Sequence, residues 1–165
     1  MSKLNVKLGL MNSAGFCCGF GHREFFSNIE KDLYNTIIRL IEERDVSVFY
    51  TGGDGDFDML FSAAVRRAKK LYPHIKLYLV KPYMLSSLNK DKDFYEAYYD
   101  DVIIPQELLG CHPKGAIAKR NRWIADKCDW VIAFVPRGFG GAYTAVKYAE
   151  KKNKQIIYMK NDPEN

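Results

Sequence analysis

A chain of 165 residues with 47% hydrophobic and 27% charged side chains has the make-up of an ordinary globular domain, which excludes the disordered and fibrous classes. Its net charge of +5, from 25 basic and 20 acidic residues, is spread without a block of like charge: it fits anionic ligands and, weakly, nucleic acid, and compels neither, so a nucleic-acid partner is not the expectation. The cysteines at 17, 18, 111 and 128 form no CxxC pair and no zinc site, and with no signal peptide or membrane-length apolar run a cytoplasmic protein with reduced thiols and no membrane contact is expected.

Strand and helix patterns alternate along the chain. Phe16–Phe20 is a short apolar run that reads as a strand, on which Cys17 and Cys18 face opposite ways. The turn Gly21-His22-Arg23 follows. Ser27-Asn28-Ile29-Glu30 has the form of a capping box, and Leu33, Ile37, Leu40 and Ile41 then recur at helical spacing. Val46–Thr51 is a β-branched and aromatic run that breaks at Gly52-Gly53. Phe57, Leu60, Phe61, Ala64, Ala68 and Leu71 form the apolar stripe of a second helix, stopped by Pro73. Ile75–Val80 predicts a third strand, and residues 83–100, polar and tyrosine-rich without a period, predict a loop with a short helix. Val102–Ile104 reads as a brief strand, 113–128 as a helix and Trp130–Val135 as a strand. A glycine turn at 138–141 opens a helix to Lys152, and Gln155–Met159 closes the set. This alternation predicts βαβ units: an α/β fold with a doubly wound, mostly parallel sheet flanked by helices on both faces. Without repeats or linkers, one domain spans 1–165, with 1–13 as a loose N-terminal extension.

In such a sheet ligands bind beyond the carboxyl ends of the strands, where strand order reverses. Three segments leave strands through glycine, at 19–23, 51–55 and 137–141. Glycine lets backbone approach a ligand, and the helix amides that follow offer partial positive charge to a phosphate. Gly21, His22, Arg23, Gly52, Gly53, Gly140 and Gly141 are therefore candidate ligand-binding residues. The dinucleotide fingerprint G-x-G-x-x-G fails at Glu24 and the P-loop is absent, which argues against an ordinary NAD dehydrogenase or a P-loop NTPase.

Side chains add to the candidate site. The inward stripe of the 113–128 helix reads Ile117, Asn121, Ile124, Cys128, so Asn121 occupies an apolar position and needs partners from the protein or from a ligand. Arg120 and Arg122 lie roughly 200° apart on the helix wheel; Arg120 is assigned to the site and Arg122 to solvent. His22 with Arg23 forms a pair able to hold a phosphate, with the histidine half-charged at neutral pH, or alternatively a loop with a structural hydrogen bond. Asp54, Asp56 and Asp58 resemble the start of a calcium loop, but Met59 and Val65 stand where that loop needs Gly and Glu. One aspartate is read instead as a helix cap and another as a ribose ligand. The tyrosines at 95, 98 and 99 read as a surface or partner patch.

Taken in order, Gly21-His22-Arg23, Thr51-Gly-Gly with Phe57-Asp58, Lys119-Arg120-Asn121-Arg122-Trp123 and Gly140-Gly141 before Thr144 resemble the SLOG superfamily over residues 14–159. This is the Rossmann-like group that includes the LONELY GUY proteins and the DprA core; the likeness is nearest to the small bacterial and phage YpsA/YoqJ-like proteins. The resemblance implies a ligand across the glycine turns, either a nucleotide, a nucleoside monophosphate or an ADP-ribose-like molecule derived from NAD. It implies no required cofactor, and a homodimer. LONELY GUY members are phosphoribohydrolases in which a Pro-Gly-Gly-x-Gly-Thr-x-x-Glu signature supplies a catalytic glutamate, with an arginine from the preceding helix. Arg120 falls at that arginine. The turn here, from Pro136 to Val146, has no glutamate in the first turn of its helix, so general acid–base help is not evident and no catalytic residue is assigned.

The resemblance therefore favours binding or sensing of a nucleotide or NAD-derived nucleotide, in stress or phage-defence signalling. In that reading phosphate rests on Gly140-Gly141 and Thr144 and pairs with Arg120, base or sugar meets Asn121, and ribose meets Asp58 or the Gly52-Gly53 turn. The alternative is a nucleoside 5′-monophosphate phosphoribohydrolase with a relocated carboxylate, Asp58 or Glu24. A third is a DprA-like single-strand DNA binder that uses the basic balance and the aromatics.

Overall fold

The computed structural model describes residues 15–25 and 28–161. Ser27 of the expected capping box and the expected 1–13 extension lie outside the described residues. In chain order the elements are β1 (Gly15–Gly21), α1 (Glu30–Arg44), β2 (Val46–Thr51), α2 (Asp56–Leu71), β3 (Lys76–Val80), α3 (Ser86–Lys90), α4 (Lys92–Tyr98), β4 (Asp101–Ile103), a 3-10 turn (Gln106–Leu108), α5 (Pro113–Lys127), β5 (Trp130–Phe134), α6 (Gly141–Lys151) and β6 (Gln155–Tyr158). The six strands make one sheet in the order β4-β3-β2-β1-β5-β6. Every pairing is parallel. The expected α/β fold with a doubly wound sheet is the fold observed, and each strand lies within one residue of its predicted bounds.

Strand alternation divides the apolar side chains between two cores. Cys17, Phe49, Leu77, Ile132 and Phe134 face α1 and α2, whose Leu33, Ile37, Phe57, Phe61 and Val65 cover them. Cys18, Phe20, Tyr50, Val131 and Ala133 face α5 and α6, where Ile124, Ala125, Ala145, Val146 and Ala149 complete the second layer. Adjacent residues thus serve opposite layers, as the period of a strand requires. Burial pushes the Cys17 and Cys128 thiols well above the ordinary cysteine range. No helix among the described residues is long and apolar enough to cross a membrane.

Three local expectations are corrected. Helix α1 begins at Glu30 with buried Ile29 at the N-cap and no side-chain cap, so Glu30 is the first helical residue and not the third that a box on Ser27 needs. Glu30 and Asp32 still place negative charge where the helix dipole favours it. Segment 83–100 holds two short helices, not one: Leu88 of α3 is buried, and in α4 the Phe94 ring packs against those of Tyr95 and Tyr98. Of the tyrosines expected at the surface, Tyr99 packs against the first core, and burial there pushes its pKa up to about 12. Tyr98 lies under the Arg66 guanidinium, 4.1 Å from the ring centre.

Glycines in β1 let α2 lie close. A β-carbon on Gly21 would stand 2.1 Å from Phe57 Cγ, and one on Gly19 would stand 2.7 Å from the Phe61 ring. Both rings are fully buried and have no room to retreat. Gly21→Ala should therefore destabilise the fold by ~1–3 kcal/mol through overpacking, read as a lower urea midpoint at unchanged m-value.

Candidate ligand-binding cleft

The chain winds outward from β1 through β2, β3 and β4, then returns to the other side of β1 as β5 and β6. The reversal falls between β1 and β5. A cleft of about 260 Å³ opens there, over the carboxyl ends of the strands. Gly21, His22 and Arg23 reach it from β1, Asp54 and Asp58 from the turn after β2, and Arg137, Gly140 and Gly141 from the turn after β5. Helix α5 closes one wall with Ile117, Arg120 and Asn121.

The floor of the cleft is ionic. Arg120 is 3% exposed and Lys81 is 6% exposed, so both cations are taken out of water and need counter-charge. Asp54 supplies it to both. Its Oδ2 accepts from Arg120 NH1 at 2.8 Å, and its Oδ1 accepts from Lys81 Nζ at 3.2 Å. The Gly52 carbonyl accepts from the same two donors, at 3.2 Å from Arg120 and 2.8 Å from Lys81. A β-carbon on Gly52 would meet Arg120 Cζ at 2.6 Å, so glycine is what lets the guanidinium lie against this backbone. Burial would raise the Asp54 pKa, but the Arg120 hydrogen bond and the Lys81 charge outweigh it and hold the carboxyl below its ordinary value.

Asp58 sits one turn into α2, and its Oδ2 accepts from the Asp54 amide at 2.9 Å. Burial dominates there and raises its pKa to about 6, against the lowering effect of that amide and of Arg120. The cleft thus holds two carboxyls of opposite character, Asp54 fixed as an anion and Asp58 able to keep a proton. Neither is the helix cap expected of this loop: Gly55, at φ 90°, occupies the N-cap with no side-chain cap. A β-carbon on Gly55 would strike Arg23 Cα at 2.6 Å, and the Asp56 amide donates to the Arg23 carbonyl at 2.8 Å. The first two glycine turns are clasped together.

His22 is buried, and its Nε2 accepts from the Arg137 amide at 3.1 Å. Burial and the Arg137 charge lower its pKa, so the ring is neutral, and the expectation of a half-charged histidine is corrected. It ties the turn after β1 to the turn after β5. Arg23 and Arg137 are both exposed at the opening, and Arg137 NH2 donates to the Glu24 carbonyl at 3.0 Å. Among the described residues no group of three histidine, cysteine, aspartate or glutamate side chains is placed to hold a metal ion.

The α5 stripe differs from its expected course. Ala116, Arg120 and Ile124 are buried, whereas Ile117 is 37% exposed and Asn121 is half-buried. The stripe drawn through Ile117 and Asn121 is offset by one residue, because Asp54, 66 residues away in sequence, makes burial of the Arg120 guanidinium possible. Asn121 does find a partner: its Oδ1 accepts from Arg120 Nε at 3.2 Å. Arg122 is exposed.

Other candidates sit apart from the cleft. Gly52 and Gly53 lie beneath it as structural turn residues, with Gly53 at φ 69° and its amide donating to Thr51 Oγ1 at 3.2 Å. Thr144 turns away, donating Oγ1 to the Gly140 carbonyl at 3.0 Å and lining a neighbouring groove. Glu24 is exposed and is not part of the cleft wall. Lys81, Arg137 and Phe139 were missed. Arg137 and Phe139 carried a signal in their place within the 137–141 glycine turn, and Lys81 carried one as a charged residue directly at the carboxyl end of a predicted strand.

Two predictions test this floor. Asp54→Ala leaves Arg120 and Lys81 buried side by side without an anion, which should destabilise the protein by ~3 kcal/mol in urea denaturation. The pKa of Asp58, about 6 in the folded state, lies above the ordinary carboxyl value, so this group's contribution to stability falls as pH rises through the interval between them. Asp58→Asn keeps an acceptor for the Asp54 amide and removes that loss. Its stability relative to the parent should grow by roughly 2–3 kcal/mol from pH 4 to pH 7, and a constant difference would refute the buried-carboxyl reading.

No protein-family model and no curated protein sequence matches the chain. Solved structures do. DNA processing protein A from Helicobacter pylori, a protein with a single-stranded DNA binding mode, aligns over 91% of this chain and 67% of its own at TM-score 0.59 and 16% identity. DNA processing protein A (DprA) from Streptococcus pneumoniae aligns over 92% of this chain at TM-score 0.58 and 19% identity; this chain spans 52% of its length. A structural-genomics target, TM1055, aligns over 86% of this chain and 72% of its own at TM-score 0.52 and 13% identity. At these identities the likeness is one of fold: a Rossmann-like α/β architecture shared with DprA-like proteins.

Proposed function

We propose that the protein binds a nucleotide, holding its phosphate at the mouth of the switch-point cleft. The observation that carries this reading is the convergence of two exposed arginines, Arg23 and Arg137, with the start of α6 above a floor whose two buried cations share the Asp54 carboxylate. The first amides of a helix lack intrahelical partners and favour an anion. Gly138, Gly140 and Gly141 leave open space there, since a β-carbon on any of them meets nothing within 4 Å.

Because Arg120 is buried and already paired with Asp54, direct contact with the anion falls mainly to exposed Arg23 and Arg137, and Arg120 orients Asn121 toward sugar or base. Asp58, at the cleft wall, offers ribose hydroxyls a carboxyl that donates or accepts with pH. The motif order that resembles the SLOG superfamily, and within it the YpsA/YoqJ-like proteins, supports the same ligand class.

A second reading is single-strand DNA binding, favoured by the likeness to the Helicobacter pylori DNA processing protein. The two separate by experiment. Thermal-shift and calorimetric titration against AMP, ADP, NAD, ADP-ribose and an oligothymidylate should show stabilisation by a mononucleotide or dinucleotide, because a ligand bound only to the native state raises its stability by mass action. Arg137→Ala should then weaken the nucleotide about 10-fold, as loss of one charge-assisted contact implies. Oligothymidylate binding that weakens steeply with salt, in the absence of any nucleotide effect, would instead establish the DNA reading.

A further inference from the structure

Beside the cleft, α5 and α6 diverge to leave a groove of about 430 Å³. The two spaces share a wall: Ile117, Asn121 and Gly141 border both. Apart from Asn121 and the rim, the groove presents apolar surface from Ile117, Ala118, Ala145 and the Tyr148 ring. Arg122, Lys147 and Lys151 stand along that rim. Lys147 is partly balanced by Glu150 at 3.2 Å.

Two features point to a ligand that passes from cleft to groove. Gly141 is the first residue of α6, and a β-carbon there would meet nothing within 4 Å. Its backbone lies outside the left-handed region, so neither torsion nor packing asks for glycine, although a bare position weakens a helix. What its bareness does is keep the passage between the two spaces open. Asn121 stands at the same junction with its amide already oriented: Arg120 Nε holds Oδ1, which leaves the Nδ2 donor to face a ligand.

Resting on the nucleotide reading above, we infer that the α5–α6 groove is the base pocket. With phosphate at the start of α6, the sugar crosses the wall at Gly141 and the planar base enters between Ala118, Ala145 and Tyr148. The Asn121 Nδ2 donates to an acceptor on the base edge, a purine ring nitrogen or a pyrimidine carbonyl. The rim cations add attraction for a ligand that carries more than one phosphate. The affinity of a base over a bare sugar phosphate is then a property of this groove, and the charge contacts at the cleft mouth are indifferent to it.

The test compares AMP, GMP and UMP with ribose 5-phosphate by calorimetry, on the parent and on Ala118→Trp. Ala118 is exposed on α5, so the indole fills the groove without disturbing the core. The parent should bind its preferred monophosphate about tenfold or more tightly than ribose 5-phosphate, in line with the usual contribution of base stacking. Ala118→Trp should abolish that advantage and leave the ribose 5-phosphate affinity unchanged. An advantage that survives in the variant, or one absent from the parent, overturns the base pocket while leaving the phosphate site intact. Failure of every probe to bind overturns both readings. A change in elution volume of the variant with no change in affinity assigns the groove to contact with a second copy of the chain, and overturns the proposal.

Discussion

Everything at the functional end of this molecule depends on one carboxylate meeting two cations that the fold has removed from water. Arg120 and Lys81 come from distant parts of the chain, and neither tolerates burial without an anion. Asp54 reaches both, and the Gly52 carbonyl accepts further hydrogen bonds from the same two groups. The arrangement joins elements that the sheet otherwise keeps apart. Asp54 leads into α2 on one face, while Arg120 belongs to α5 on the other. Over the carboxyl ends of the central strands, the ion pair links two layers that share no apolar core.

That linkage explains the order of the surrounding turns. Gly52 is bare because a guanidinium lies against it, and Gly55 is bare because the Arg23 backbone passes over it. His22 uses a neutral ring to take the Arg137 amide, binding the turn after β5 to the turn after β1. The three glycine turns therefore behave as one braced structure. The surplus positive charge at the cleft is carried by exposed Arg23 and Arg137, with the buried cations serving as its support.

Glycine plays two distinct roles here, and the surroundings tell them apart. At positions 19, 21, 52 and 55 a side chain would strike a ring, a guanidinium or backbone, so the protein itself needs the space. At 138, 140 and 141 a β-carbon would meet nothing within 4 Å. Gly140 is accounted for by its φ of 101°, a conformation that side-chain-bearing residues rarely adopt. Gly115, Gly138 and Gly141 have neither reason, and of these Gly141 lines the cleft.

The sequence by itself determined the alternation of strands and helices, because periodicities of two and 3.6 are local and each apolar run carries its own end signals. It also placed the three glycine turns, and with them the end of the sheet where a ligand would sit. Side-chain roles depended on what only the tertiary structure brings together. Arg120 reads as a phosphate partner until Asp54 stands beside it, and Lys81 reads as a strand terminus until the Gly52 carbonyl receives it. Asp58 reads as an ordinary carboxylate until burial raises its pKa to about 6. His22 reads equally as a phosphate partner or as a loop histidine with a structural hydrogen bond until its ring nitrogen is seen to accept from the Arg137 amide. In each case a charge or a hydrogen bond was decided by a partner at long sequence separation, and no local pattern records that partner.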